Sequence, residues 1–174
     1  QFLTNSLFAT GIALKYAVPL KTIKKSILSF KGVKRRNEYL GQVSRYRCYA
    51  DYAHHPREID CFTDGFYKTL KGKTLVVFEP HTYSRTKDLI DDFVTSLSKI
   101  NDLVIYKTYP ASEKYLREGS ATFLYEKIAN KNVNNVYYAD NLNCVFEYAK
   151  NYKNIVILGA GSLYDEIKST KNLK

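Results

Sequence analysis

The chain's three histidines, His54, His55 and His81, all fall within two short segments, Asp51-Tyr52-Ala53-His54-His55-Pro56 and Glu79-Pro80-His81-Thr82-Tyr83-Ser84-Arg85-Thr86. Imidazoles donate or accept hydrogen bonds and protons near neutral pH, and Tyr52 adds a hydroxyl that orients a ligand. Arg85 adds a permanent cation whose planar fork matches two oxygens of a carboxylate or phosphate, and at a helix start the backbone N–H groups supply further donors. Together these residue types describe a site that handles an anion. The alternative is that Arg85 pairs with Asp91 or Asp92 and that the histidines cap helices.

Two further groups bear on phosphate chemistry. Gly159-Ala160-Gly161-Ser162 has a G-x-G spacing that lets a phosphate approach the backbone, but it lacks a third glycine and reads equally as a tight strand-to-helix turn. Arg35-Arg36 is either a solvated charge run or, where a hinge flanks a cleft, a contact to phosphate or ribose.

Such residues must be held by regular elements, and the hydrophobic pattern supplies them. From residue 42 onward, apolar runs at 43–51, 74–78, 103–106, 136–139 and 155–158 alternate with amphipathic segments at 56–70, 85–100, 120–129, 142–152 and 163–168. This alternation predicts an α/β domain, a Rossmann-like and mostly parallel sheet with helices on both faces. Loops at the carboxyl ends of such strands collect ligands, and both histidine segments follow predicted strands. Ahead of this domain, Leu3, Leu7, Ala9, Ile12 and Leu14 fall at helical spacing, and a second amphipathic helix is predicted over 19–30. Gly32 ends it, and the polar, charged segment to Gly41 reads as a linker, while 130–135 reads as a polar loop.

Composition narrows the function classes. With 174 residues, 45% hydrophobic and 25% charged, the chain is a folded globular protein. The excess of 27 Lys and Arg over 17 Asp and Glu gives a net charge of +10, which favours anionic ligands or partners. A nucleic-acid-binding module would line one face with basic residues and interleaved aromatics. Here the basic residues are scattered over every predicted helix and tyrosine alternates with apolar residues, as at Val136-Tyr137-Tyr138, so no nucleic-acid partner is expected. A dinucleotide-dependent oxidoreductase is set aside because the first strand runs into Asp51-Tyr52-Ala53-His54 and not a glycine-rich turn. Apolar stretches fall far short of the ~20 residues that span a bilayer, so no membrane partner is expected. Cys48, Cys61 and Cys144 form no CxxC, which argues for free thiols in a cytoplasmic protein and against a zinc site. A start at Gln1 and the absence of Met read as a stretch excised from a longer chain.

Three ordered motifs in register carry a family resemblance. Phe30-Lys31-Gly32-Val33-Lys34-Arg35-Arg36-Asn37-Glu38, Asp51-Tyr52-Ala53-His54-His55-Pro56-Arg57-Glu58-Ile59 and Phe78-Glu79-Pro80-His81-Thr82-Tyr83-Ser84-Arg85-Thr86-Lys87 together resemble the Mur ligases. The spacing extends to Tyr109-Pro110-Ala111-Ser112-Glu113 and to Gly159-Ala160-Gly161. The resemblance implies an ATP-dependent, amide-forming ligase of peptidoglycan synthesis that joins L-alanine to UDP-N-acetylmuramate through an acyl phosphate, with ATP and Mg2+ used by the full-length enzyme. Residues 1–31 would be the last helices of a truncated central ATPase domain, 32–41 the hinge and 42–174 the C-terminal domain. That domain's partners would be its own missing domains, and alone it is expected not to turn over. By motif position Tyr52, His54, His81 and Arg85 would bind the amino acid. Asn5 would face the adenine, and Arg36 and Asp51 would lie near ribose and phosphates. The pattern departs at Thr82, where the family has Arg, and at Ser112 and Ser162, which replace Gly and Asp. A related Mur-type ligase with a different amino acid or peptide substrate is the alternative.

Overall fold

In the computed structural model, the described residues are 2–131 and 135–171. The chain divides into two compact units between Val33 and Lys34. The first holds two helices, α1 (Phe2–Lys15) and α2 (Leu20–Ser29), that pack on each other, with Ile23 of α2 buried.

The second unit is a six-stranded sheet. Its strands are β1 (Glu38–Val43), β2 (Tyr46–Asp51), β3 (Thr74–Phe78), β4 (Asp102–Tyr106), β5 (Asn135–Ala139) and β6 (Asn154–Leu158), in the order β1-β2-β6-β3-β4-β5. Every pair is parallel except the β1/β2 hairpin. The expected α/β class and mostly parallel sheet are therefore observed. Strands β3, β4 and β6 are buried at every residue, as the continuous runs Thr74-Leu75-Val76-Val77-Phe78 and Asn154-Ile155-Val156-Ile157-Leu158 require of strands covered on both faces.

Alternate residues of each strand serve opposite cores. Val76, Phe78, Leu103, Ile105, Val156 and Leu158 pack against α3 (Pro56–Phe62), α5 (Ile90–Leu97) and α6 (Ala121–Ala129) through Ile59, Phe93, Leu97, Leu124 and Ile128. Leu75, Val77, Val104, Tyr106, Ile155 and Ile157 pack against α7 (Leu142–Tyr148) and α8 (Leu163–Lys171) through Val145, Leu163 and Ile167.

The structure corrects several predicted elements. The single strand predicted over 43–51 is a hairpin that turns at Ser44, φ 53, so the segment read as a linker contributes β1 from Glu38 onward. The helix predicted over 56–70 passes into a π turn at Thr63–Tyr67, where the Thr63 hydroxyl lies 3.0 and 2.9 Å from the carbonyl oxygens of Ile59 and Asp60. The helix predicted over 85–100 breaks at Leu89 into α4 (Tyr83–Asp88) and α5. The polar loop expected at 130–135 lies partly outside the described residues.

From β2 the chain crosses to β3, continues outward to β4 and β5, and returns to β6 between β2 and β3. From β6 it turns back through α8 toward β1, while from β3 it leads through α4 and α5 toward β4. The order reverses between β6 and β3, and the loops leaving β2, β6 and β3 meet there, the place where open α/β sheets bind ligands.

Candidate functional site

The loop after β2 is built around an inward-facing carboxylate. Asp51, 8% exposed, accepts from the amides of Asn37 and Ala53, each at 2.9 Å, and lies 3.9 Å from Arg36. Burial raises its pKa, and the two backbone donors and Arg36 pull it back. Asp51 therefore braces the loop and holds Arg36. The Arg36 guanidinium also lies 3.7 Å from Glu58 and 5.7 Å over the Tyr52 ring. His54 Nδ1 sits 2.9 Å from the Tyr52 carbonyl and 3.2 Å from Glu58 Oε2. Both neighbours are acceptors, so Nδ1 carries a proton. His55 is different. It is the N-cap of α3, its Nδ1 accepting from the Arg57 amide, with Pro56 in the first turn.

The loop after β3 places His81 beside Tyr109, with ring centroids 5.3 Å apart, and 6.0 Å from the His54 ring. Arg85 Nη1 lies 3.4 Å from His81 Nδ1. Arginine only donates, so Nδ1 of His81 is the acceptor. Burial, then the charge of Arg85, then His54 lower the His81 pKa, which keeps this imidazole neutral at neutral pH. The alternative pairing of Arg85 with Asp91 or Asp92 does not occur, and Arg85 takes part in no ion pair among the described residues.

The backbone donors expected beside Arg85 are already in use. Glu113 accepts from the amides of Tyr83 and Ser84 at 2.7 and 2.9 Å and from the Ser84 hydroxyl at 2.5 Å. These hydrogen bonds lower its pKa, the Ser84 hydroxyl first. An incoming anion thus meets the side chain of Arg85 and not the N-terminus of α4. Glu113 comes from a turn in which Ser112 has φ 74. A side chain at that φ is strained, and Ser112 is exposed. Ser112→Gly is expected to stabilise the chain by about 1 kcal/mol, a rise of roughly 2 to 4 °C in Tm. An unchanged or lower Tm in a thermal scan would count against the left-handed turn.

The glycine-rich turn after β6 also differs from one of its expected readings. The space that a phosphate would take holds the carboxylate of Glu79, 2% exposed, which accepts from the amides of Ser162 and Leu163 at 3.1 and 3.2 Å. A Cβ on Gly161 would lie 2.6 Å from Glu79 Oε2 and from the Tyr109 side chain, and one on Gly159, φ 147, would lie 2.9 Å from the Glu79 carbonyl. The turn is therefore the tight strand-to-helix kind, capped from β3. The carboxylate at the start of α8 comes from Glu79, which accepts from the amides of Ser162 and Leu163. Burial raises the Glu79 pKa to about 7. The Ser162 hydroxyl lies 3.3 Å from Glu79 and 2.8 Å from Glu166, whose other oxygen accepts from the Tyr106 hydroxyl at 2.7 Å. One hydroxyl hydrogen serves one acceptor, so protonated Glu79 completes an ordered chain from Glu79 through Ser162 to Glu166.

The two arginines of the Arg35-Arg36 pair separate. Arg35 stacks 4.1 Å over the Tyr164 ring, pairs with Asp165 at 3.2 Å and donates to the carbonyls of Ala160 and Gly161 at 3.4 Å. Its carbonyl accepts from the Tyr52 amide at 2.6 Å. Arg35 thus fastens the segment ahead of β1 to the turn after β6, and Arg36 is left on the histidine side. Arg36, Tyr52, His54, His81 and Arg85 form one continuous row. Asp51 lies beneath it, and Asn5, exposed on α1, belongs to the other unit. Sequence reasoning did not single out Tyr109, Glu58, Glu79 or Glu113. The Tyr109-to-Glu113 motif was its only signal for two of them.

The carboxylates of the site are all engaged. Asp51, Glu79 and Glu113 hold backbone N–H groups, and Glu58 holds His54 and Arg36. No group of three or more His, Cys, Asp or Glu among the described residues is arranged to hold a metal ion. These residues do not fit Mg2+. No described helix is long and apolar enough to cross a membrane.

Residues 35–163 match the family model described as Mur ligase, glutamate ligase domain. A UDP-N-acetylmuramate-L-alanine ligase of Caldicellulosiruptor saccharolyticus is 37% identical over 163 residues, covering 91% of this chain and 36% of that protein. The protein of the same name from Aquifex aeolicus is 38% identical over 164 residues, covering 91% and 35%. A solved UDP-N-acetylmuramate-alanine ligase from Thermotoga maritima has a TM-score of 0.74 at 18% identity, covering 98% of this chain and 37% of that one. A pseudomurein peptide ligase type C from Methanothermus fervidus has a TM-score of 0.66 at 19% identity, covering 99% and 36%. At these identities the structural likeness speaks for the fold. The chain spans 36% and 35% of the two curated relatives.

Proposed function

Because the chain belongs to the Mur ligase, glutamate ligase domain family, we propose that it is the C-terminal part of a cytoplasmic, ATP-dependent ligase that joins L-alanine to UDP-N-acetylmuramate in peptidoglycan synthesis. On this reading residues 1–31 end the central ATPase domain, the hinge lies within 32–41 ahead of β1, and the sheet unit is the domain that brings the amino acid. The observation that carries the reading is the row from Arg36 to Arg85, which ends in a half-buried guanidinium that pairs with no carboxylate among the described residues.

In the proposed reaction the muramoyl carboxylate attacks the γ-phosphorus of ATP and ADP leaves. The amine then attacks the acyl phosphate, and phosphate leaves as the tetrahedral intermediate collapses. Arg85 holds the amino acid's carboxylate with two parallel N–H donors. Neutral His81 keeps the Arg85 fork aimed by accepting from Nη1. His54, its Nδ1 engaged by Tyr52 and Glu58, has its ring fixed beside that of His81 in the amino-acid site. Closing this unit over the other substrates excludes water from an acyl phosphate that would otherwise hydrolyse, and holds the amine in attacking geometry. Arg36 binds the nucleotide, with Asp51 bracing it from below. No step is assigned to Mg2+ on these residues.

The test is ADP release by the complete enzyme with UDP-N-acetylmuramate and each of a panel of amino acids. The reading requires L-alanine to be used best. Preference for another amino acid or a peptide would favour the alternative that Thr82 motivates. In the same assay Arg36→Ala is expected to raise the KM for ATP by about tenfold or more, the ~1.5 to 3 kcal/mol of a charge-assisted hydrogen bond, with the amino-acid KM nearly unchanged. Equal effects on both would assign Arg36 to closure instead.

A further inference from the structure

Thr82 stands between His81 and Arg85 with φ 69 and ψ 145, a region of backbone space that is essentially glycine's. A β-branched residue stays there only when its surroundings over-determine it. Besides the Thr86 hydroxyl and amide, which donate to the Thr82 carbonyl at 2.8 and 3.4 Å, those surroundings come from one stretch of chain, residues 109–119. The Tyr109 carbonyl accepts from the Thr82 amide at 2.9 Å, and the Tyr109 amide donates to the Pro80 carbonyl at 2.9 Å. Glu113 takes both backbone donors that follow Thr82, and the Ser84 hydroxyl as well. Gly119 is pressed so closely on Tyr83 that a Cβ would lie 1.9 Å from its carbonyl oxygen. The Tyr115 ring meets the Tyr83 ring edge-on at 5.5 Å.

The reversal at Thr82 has a consequence for the site. It starts α4 one residue later and so returns Arg85 to within 3.4 Å of His81. We propose that Glu113 is a positioning residue: its hydrogen bonds to Tyr83 and Ser84 hold Thr82 in the glycine-like conformation and thereby set the Arg85–His81 pair for the carboxylate of the amino acid. The assignment of that carboxylate rests on the proposed function; the hold on Thr82 does not. Glu113 acts through α4, whose first two amides and Ser84 hydroxyl its oxygens hold.

The experiment has two arms. In the 174-residue chain, melting temperatures are measured for the unsubstituted protein, Thr82→Gly, Glu113→Ala and the double variant. Thr82→Gly is expected to raise Tm and Glu113→Ala to lower it. The gain from Thr82→Gly shrinks in the Glu113→Ala background, because a loop freed of Glu113 has already relaxed. The same gain in both backgrounds overturns the proposal. In the complete ligase, Glu113→Ala is expected to raise the amino-acid KM about tenfold with the KM for ATP unchanged, and adding Thr82→Gly to restore it to within about threefold. Glu113→Gln, whose carbonyl oxygen still accepts from both amides, stays within about threefold of the unsubstituted enzyme. A purely structural Glu113 would lower Tm while leaving the two KM values unchanged or moving them together, and either pattern overturns the positioning role. If the unsubstituted ligase uses no amino acid, the proposed function falls, and the melting cycle alone decides whether Glu113 holds Thr82.

Discussion

Arg85→Lys in the complete enzyme is expected to weaken amino-acid use by about ten- to a hundredfold, the ~1.4 to 2.8 kcal/mol lost when a bidentate pair becomes a single contact. A free amino acid must be held by its carboxylate while its amine is left able to attack, so the site needs a cation matched to two oxygens. The structure leaves that task to one side chain. Thr82 supplies no second cation, and Glu113 has taken the backbone donors at the start of α4. Lysine keeps the charge but presents a point donor on a flexible stem, and it cannot both bond His81 and grip two oxygens in a plane. The KM for ATP is expected to stay unchanged. A variant that melts at lower temperature and loses both substrates together would show that Arg85 supports the loop and does not read the substrate.

The second large effect concerns stability and pH. The Glu79 pKa is raised from 4.5 to about 7, because burial outweighs its hydrogen bonds to Leu163 and Ser162 and Glu166 stands nearby. A raised carboxyl pKa means that the fold prefers the protonated form. The contribution of Glu79 to stability is therefore greatest below pH ~4.5 and is lost as pH rises toward about 7, where Glu79 must ionise in the folded chain. At about 1.4 kcal/mol per unit the loss is about 3 kcal/mol. Glu79→Gln keeps an oxygen for the amides of Ser162 and Leu163 and never ionises. Relative to the unsubstituted chain, it is expected to gain about 3 kcal/mol between pH 4.5 and pH 8 in denaturant titrations. The other carboxylates, Asp51 and Glu113 among them, titrate in both proteins and cancel in the difference. A stability difference that does not change with pH would mean that Glu79 titrates alike in the folded and the unfolded chain.

The sequence by itself determined the class of fold and the address of the candidate site. Runs such as Thr74-Leu75-Val76-Val77-Phe78 have no polar face, and only a strand covered on both sides accommodates them. Alternation with amphipathic segments then makes the sheet mostly parallel and places Tyr52, His54, His81 and Arg85 after β2 and β3, two strands that both border β6. That reasoning is local and periodic, and it is legible without a partner strand. The hairpin was hidden because Val43-Ser44-Arg45-Tyr46 carries none of the Asn-Gly or Asp-Gly chemistry that marks a two-residue turn, and Ser44 takes φ 53 without advertising it.

Only the tertiary structure decided which donors and charges at that address are still available. Glu113 reaches Ser84 across 29 residues and Glu79 reaches Ser162 across 83, so no window of sequence shows that two helix starts are already capped by carboxylates. Arg35 and Arg36 are equal in sequence, yet a φ of 56 at Arg35 sends one to Tyr164 and Asp165 and leaves the other beside Tyr52. Asp51 reads as a ligand residue and is turned inward, because a carboxylate at the end of β2 satisfies the otherwise unpaired amides of Asn37 and Ala53. Residue type sets what each side chain is able to do. Contacts between segments far apart in the chain set what is left for it to do, because each hydrogen-bond donor and each charge is consumed by the first partner the fold brings within reach.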